Sequence, residues 1–321
     1  MARGKKSLKI LFVADPLDRF DPVAETSLYL MREAQRRGHQ IFCTEPKDLS
    51  ARGTQVLAQA HRLKVLGKGK KDWYRIVSTK RLEVKSFDAV LLRKDPPFNM
   101  PYLHHLYLLE IISDEVYMMN HPSGVIIGNE KLLPLPFLAK TPDTLVSARR
   151  DELLKFIEGQ KQGAILKPLS EAGGRGIFWV PRGKANNLNV ILETMTQGYT
   201  RHVVAQTYLP EARRGDKRIL LIGEEILGAF VRIPAQGEHR ANLHAGGVAK
   251  PTQLTSKDLE LVGLLRPVLG RLGLDFVGLD IIAGSLIEVN VTSPMGIHEI
   301  NQTSRARCER KVLNYLEERA F

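Results

Sequence analysis

Short apolar runs alternate with glycine- and proline-marked breaks along this chain, and their spacing predicts strands and helices taking turns through its first third. Leu8-Lys9-Ile10-Leu11-Phe12-Val13 is a run of strand type that ends at Asp15-Pro16. Residues 24–37 carry Leu28, Met31 and Ala34 at helical spacing, and Gly38 provides the stop. Gln40-Ile41-Phe42-Cys43 and Ala89-Val90-Leu91-Leu92-Arg93 are further strands, the second closed by Lys94-Asp95-Pro96-Pro97. Strand–helix–strand rhythm implies a small parallel sheet covered by helices. Ligands on such sheets gather at the carboxyl ends of strands, where Asp15, Arg93 and Asp95 stand.

The rhythm changes near Asn120-His121-Pro122. Ala164-Ile165-Leu166-Lys167-Pro168 and Ile177-Phe178-Trp179-Val180 read as an antiparallel pair joined by Glu171-Ala172-Gly173-Gly174-Arg175-Gly176. A third unit opens around Val203-Val204-Ala205-Gln206. It carries Gly278-Leu279-Asp280-Ile281-Ile282, a turn at Ala283-Gly284-Ser285, and Leu286-Ile287-Glu288-Val289-Asn290. With pairing centred on Gly284, Asp280 faces Glu288, and Asn290 shares that face because strand side chains alternate. Two carboxylates on a half-buried face are costly unless a cation lies between them. Oxygen donors without His or Cys suit Mg²⁺ better than zinc. A solvent-facing polar edge is the plainer alternative, and a turn of even length would send Asp280 to the other face.

At 321 residues the chain can hold two or three domains with proper cores, and 43% hydrophobic with 26% charged residues is ordinary for a soluble enzyme. No apolar stretch is long enough to cross a bilayer, and the basic start runs straight into a strand instead of a signal peptide. Cys43 and Cys308 are far apart, in no metal or redox spacing, which points to a reducing cytoplasm. The net charge of +12 is uneven: residues 61–85 hold nine Lys/Arg against Asp72 and Glu83, beside Trp73-Tyr74. Lysines with aromatics could serve nucleic acid, although a solvated surface hairpin explains the same run.

A glycine loop between two strands lets backbone N–H groups close on a phosphate chain. Gly173, Gly174 and Gly176 form no Walker loop and no dinucleotide fingerprint. Lys167 just before the loop and Lys131 in Asn129-Glu130-Lys131 offer cations. Arg218, Arg232 and Arg240 lie in the unit that holds the carboxylates, and guanidinium forks suit carboxylates and phosphates. Asn242, Gly246 and Gly247 add donors in a glycine- and histidine-rich stretch at 234–250 that reads as a loop over a site. Acidic cation site, lysines, glycine flap and arginines together fit a nucleotide-dependent reaction on an anionic substrate.

These residues resemble the ATP-grasp ligases, and among them the bacterial glutathione synthetases. The matching strings include Arg93-Lys94-Asp95-Pro96-Pro97, Asn129-Glu130-Lys131, Ile165-Leu166-Lys167-Pro168, Gly215-Asp216-Lys217-Arg218, Gly246-Gly247 and Glu288-Val289-Asn290-Val291-Thr292-Ser293-Pro294, in the family's order over nearly the whole chain. The resemblance implies an α/β protein, α+β in its ATP-grasp part. A small parallel-sheet substrate domain would span 1–121, a glycine-loop lid 122–204 and a catalytic unit 205–321. It implies joining of γ-glutamylcysteine to glycine through an acyl phosphate, with ATP as cosubstrate, and Mg²⁺, or Mn²⁺ as an alternative, held by Asp280, Glu288 and Asn290.

It further implies that Lys131 and Lys167 hold phosphates, that Gln206, Tyr208 and Leu209 meet adenine, and that Asp216 faces the ribose. Arg218, Arg232 and Arg240 would clamp the transition state, while Ser293 and Pro294 position the peptide. Loops 173–176 and 235–247 would exclude water. A homo-oligomer, tetrameric by resemblance, is implied. Arg175 departs from the small residues expected of relatives. Two alternatives remain: a ligase adding another amino acid to a peptide or protein tail, as 240–247 suggests, and a nucleic-acid-binding protein with a regulatory ATP site.

Overall fold

The computed structural model describes residues 7–67, 72–183, 187–235 and 246–320, and these form three sheets. The first contains β1 (Lys9–Ala14), β2 (Gln40–Thr44), β3 (Leu49–Arg52), β4 (Gln55–Val65), β5 (Tyr74–Glu83), β6 (Ala89–Arg93) and β7 (Tyr117–Met119). As the periodicity predicts, β1 pairs in parallel with β2 and β6, and α1 (Thr26–Arg36) crosses between β1 and β2. Glu25 caps that helix by accepting from Ser27 N (2.8 Å).

The sheet is larger than expected, and mixed. Strands β3, β4 and β5 join it antiparallel, with β4 bonded to β2, β3 and β5. The basic run at 61–85 therefore lies largely on a hairpin of β4 and β5, and Arg75, Lys80 and Arg81 are exposed on it. Trp73, offered by the sequence as a base-stacking platform, is 2% exposed and stacks on Phe20 at 5.7 Å. Its ring is core packing, and Tyr74 is partly buried against the same core, so neither aromatic is presented as an open stacking platform.

Helix α2 (Met100–Glu110) lies between β6 and β7; after β7 come α3 (Pro122–Ile127) and then the second sheet: β8 (Thr144–Ser147), β9 (Ala164–Pro168), β10 (Phe178–Val180) and β11 (Val203–Thr207), in the order β10-β9-β11-β8. Helices α4 (Arg150–Gly159) and α5 (Leu188–Thr196) bury Leu153, Ile157 and Leu192 against Ala164, Leu166, Val203 and Ala205 in a core of its own. Since β11 is hydrogen-bonded to β8 and β9, it does not open the third unit, and we place that boundary after Thr207.

The third sheet has the order β14-β13-β12-β15-β16, all antiparallel, from β12 (Asp216–Ile222), β13 (Glu225–Ile233), β14 (Val248–Pro251), β15 (Phe276–Ile282) and β16 (Ser285–Asn290). Helix α6 (Ser256–Arg271), opened by a Thr255–Asp258 capping box, packs Leu261 and Leu265 into a core shared with the first sheet's Leu11 and Val90. Helices α7 (Ile297–Ser304) and α8 (Cys308–Arg319) return to the first unit, where Ile300, Val312 and Leu316 join Ile10, Phe12 and Leu28. First and third sheets thus share two cores, and the second stands on its own.

One buried side chain pins that union. Asn120 donates Nδ2 to Phe276 O (2.7 Å) and Val291 O (2.6 Å), while Phe276 N donates to its Oδ1 (2.7 Å). The strand ends that carry the carboxylates are so fixed to the first unit. No helix among the described residues is long and apolar enough to cross a membrane.

Candidate active site

The carboxylate hairpin forms, by a route its sequence conceals. Ile282 pairs with Ser285, leaving a two-residue turn of Ala283 (φ +51°) and Gly284 (φ +83°), both left-handed as such hairpin turns require. The expected three-residue turn is therefore wrong, and an even turn alone would set Asp280 opposite Ile287. The register shifts between Asp280 and Ile281, so that Ile281 pairs with Leu286 and Asp280 with Glu288. Ile287 is the extra residue of a β-bulge, and the bulge restores the facing pair.

Register also assembles the cations. Arg218 on β12 pairs with Asp280 on β15, and Asp216 on β12 with Arg232 on β13. Arg218 donates Nε and Nη2 to Asp280, the latter at 3.0 Å. Arg232 donates Nη2 to Asp216 Oδ2 (2.7 Å) and brings the same nitrogen 2.9 Å from Asp280 Oδ2. Two guanidiniums and two carboxylates make a buried quartet without net charge. Burial disfavours the Asp280 carboxylate, but Arg218 and Arg232 outweigh it and hold its pKa well below the usual carboxylate range. Asp216, for which burial dominates, is pushed up.

Lys131 and Lys167 are 7% and 8% exposed, both unusual for lysine. Lys167 donates to Gln206 Oε1 (2.8 Å), and burial pushes its pKa down to about 8, against the pull of Glu288. Lys131 Nζ donates to Glu171 O (2.5 Å) and lies 3.1 Å from Glu288 Oε1. That oxygen is buried, and the lysine's angle makes no hydrogen bond to it. Asn290 donates Nδ2 to Gly278 O (3.2 Å), and among the described residues no hydrogen bond reaches its Oδ1. A buried carboxylate oxygen that faces the Lys131 ammonium without a hydrogen bond, and an amide oxygen on the same hairpin, with Asp280 opposite, suit a hard divalent cation. Asp280 fits that set less freely, because both its oxygens already accept from guanidiniums.

Glu130, overlooked in the sequence, sets this hairpin's end. Its Oε1 accepts from Val291 N (3.0 Å), Thr292 N (3.2 Å) and Thr292 Oγ1 (2.8 Å), and Val289 N donates to its carbonyl (2.9 Å). Burial and the neighbouring Glu288 raise its pKa.

The loop joining β9 to β10 contains Gly173, Gly174 and Gly176 at φ +66°, +79° and +67°, a run of left-handed backbone that side-chain-bearing residues rarely adopt. Two bonds stitch it to the first unit, Phe98 N donating to Ser170 O (2.8 Å) and Arg175 Nη2 to Pro96 O (3.3 Å), and Asn129 Nδ2 donates to Leu169 O (3.2 Å).

Two cavities meet beneath this loop. The first is lined by Lys131, Lys167, Gly173, Gly174, Gln206, Tyr208, Leu209, Asp216 and Asp280, with an apolar wall of Ile165, Ile177, Ile282 and Ile287. The second, about 520 Å³, is lined by Asp15, Arg93, Asp95, Arg218, Asn290, Ser293 and Pro294, together with Arg19, Glu25, Glu130 and Thr292, which the sequence did not single out. Ala172, Gly173, Arg175, Arg232 and Glu288 belong to both.

Some expected residues play altered parts. Arg93 is buried, donating Nε to Ser27 Oγ (2.9 Å) and Nη1 to Pro294 O (3.1 Å), so it positions the Pro294 turn more than it presents a free cation. Asp15 is held by Lys94 Nζ (2.8 Å) and Asp95 N (2.8 Å). Asp216 reaches its cavity with both oxygens already accepting from Arg232. Among the described residues, Gly246 and Gly247 line neither cavity, and Arg240 and Asn242 lie outside the described residues.

Known proteins match this architecture along its length. The family model "Prokaryotic glutathione synthetase, N-terminal domain" matches residues 8–125, and "Prokaryotic glutathione synthetase, ATP-grasp domain" matches residues 130–305. The chain is 39% identical over 315 residues to a glutathione synthetase of Nitrosomonas europaea, covering 97% of this chain and 98% of that one. It is 40% identical over 296 residues to that of Yersinia pestis, covering 91% and 92%. Among solved structures, the D-cycloserine synthetase DcsG superposes with a TM-score of 0.67 at 14% identity, covering 97% of this chain and all of that one. The macrocyclase MdnC of Microcystis aeruginosa, bound with its precursor peptide, reaches 0.62 at 17% identity over 96% and 99%. Those two likenesses carry the ATP-grasp fold alone. With both domain models matched and relatives aligned end to end, the chain belongs to the prokaryotic glutathione synthetase family.

Proposed function

We propose that this protein joins γ-glutamylcysteine to glycine at the expense of ATP, forming glutathione, ADP and phosphate. Family membership supports the reaction, and one observation carries it to this site: a lysine-lined cavity and a larger cavity with charged walls share Arg232, Glu288 and the glycine loop. A phosphoryl donor in one and a carboxylate acceptor in the other would meet at that border.

The first cavity takes ATP. Adenine lies against Ile165, Ile177 and Leu209, with Gln206 and Tyr208 at its edge, and Lys131 and Lys167 hold the phosphates. Asp216 approaches the ribose from its place on Arg232. The second cavity takes γ-glutamylcysteine, with Asp15, Asp95, Ser293 and Pro294 along it and Arg218 and Arg232 at the reacting end. Carboxylate is a poor acyl donor. Its oxygen attacks the γ-phosphorus while the bond to the β-phosphate oxygen breaks, and the glycine amine then displaces phosphate from the acyl carbon. Mg²⁺, when bound, offsets charge on the transferring phosphoryl oxygens, and Glu288, Asn290 and Asp280 would hold it. Because the Arg–Asp quartet is neutral, it orients anions without cancelling them; the lysines and the cation must do that. The glycine loop excludes water from the acyl phosphate. Arg240 and Asn242 keep only the roles that the family resemblance gives them.

The decisive assay is ADP release with Mg²⁺, ATP and γ-glutamylcysteine across a panel of amines. Glycine should support turnover, and strict preference for another amine would overturn the reading. No observation favours a protein-tail ligase or a nucleic-acid protein. We also place the protein in a reducing cytoplasm, consistent with two buried free thiols, and read it as a homo-oligomer.

Lys167 makes nucleotide binding pH-dependent. A lysine with its pKa near 8 must be protonated to grip phosphate, so binding takes up a proton once the pH reaches that value. ATP affinity should fall by up to about tenfold per pH unit above it. Calorimetry in buffers of different ionisation enthalpy should detect the uptake, and Lys167→Met should lose it.

A further inference from the structure

Arg175 lies at the border between the two cavities and has no assigned task. Of the five residues common to both, two are cations. Arg232 is 5% exposed and already committed to Asp216 and Asp280. Arg175 is the opposite case. Its side chain is 62% exposed, one guanidinium nitrogen donates to Pro96 O at 3.3 Å, and Nε lies 3.4 Å from Glu171 Oε2. A carbonyl and a half-buried carboxylate at 3.4 Å are weak holds on a guanidinium that is itself largely exposed. It is carried by a loop whose flanking Gly174 and Gly176 sit in left-handed backbone, so the cation stands on the segment that covers both chambers.

We infer that Arg175 is a catalytic residue, whose guanidinium leaves Pro96 and Glu171 to contact the oxygens of the phosphoryl group in flight. The inference rests on the reaction proposed above. As the peptide carboxylate oxygen bonds to the γ-phosphorus and ADP departs with the electron pair of the broken bond, negative charge gathers on the peripheral oxygens between the cavities. A planar fork that reaches them there stabilises the transition state more than the bound substrates. The fixed arginines cannot follow, because each is tied to buried carboxylates.

The test is Arg175→Ala, read in two ways. In turnover, kcat should fall about 10²-fold with little change in KM for the peptide, and added guanidinium ion should restore part of it. In binding, which needs no peptide, the variant should weaken ATP while leaving ADP unchanged, since ADP lacks the group contacted. A kcat within about threefold of the parent, or equal weakening of ATP and ADP, would overturn the assignment. Loss of kcat without guanidinium rescue would make Arg175 a structural residue of the loop, which also overturns it. Should the parent enzyme make no glutathione, the substrate reading falls while the ATP-against-ADP comparison still judges Arg175.

Discussion

Replacing Glu288 by glutamine should lower glutathione-forming turnover about 10³-fold while leaving the folded protein intact. The carboxylate stands where both cavities meet, with one oxygen buried and without a hydrogen bond. Glutamine keeps the shape and removes the charge that would hold a divalent cation, so the loss should fall on kcat, with the thermal midpoint little changed. Steady-state rates alongside circular-dichroism melting check this. Near-normal turnover in the variant would reject the cation assignment.

Asp280→Asn should behave differently, as a failure of stability. Its carboxylate is the common partner of Arg218 and Arg232, all three being at most 6% exposed. An amide cannot compensate two buried guanidiniums, and breaking a buried ionic cluster by removing one partner costs about 3–5 kcal/mol. Urea denaturation of parent and variant measures it directly. The pH dependence has a definite sign. The two arginines hold Asp280 below its unfolded value, so its contribution is present in full above the ordinary carboxylate range and is lost as pH falls through that range toward its folded pKa. The stability gap between parent and variant should therefore narrow on acidification. A gap of constant size would refute the ionic account.

What was legible in the sequence follows from the range of the interactions involved. The strands at 9–14 and 89–93, the helix ended by Gly38 and the glycine loop are local patterns, and they form where their periodicity places them. The facing of Asp280 and Glu288 was legible only in part. Alternation correctly suggested one face, yet Ile287 looks like any strand residue, and its bulge depends on how β15 and β16 pack.

The Arg–Asp quartet was invisible, because it joins positions 216, 218, 232 and 280 on three strands through two pairings that no local pattern reports. Glu130 was missed for the same reason, since its partners lie at Val291 and Thr292. Of the antiparallel extension β3–β5, the solvated hairpin at 61–85 was legible from its charge run, whereas its pairing through β4 onto β2 and β3 is long-range and was not. The family resemblance supplied roles that geometry alone does not, and the geometry in turn redirected Arg93 and Asp216 from free ligands to held ones.

The shared cores bear on how the protein is made. One face of the first sheet, built around Ile10 and Phe12, is completed by Ile300, Val312 and Leu316 from α7 and α8. During synthesis those helices emerge from the ribosome long after the strands they cover. The early half therefore waits with an apolar face that α1 covers only in part, while the lid, whose core is contained within residues 153–205, can close on itself as soon as it appears. In this chain the middle matures first, and the beginning is finished by the end.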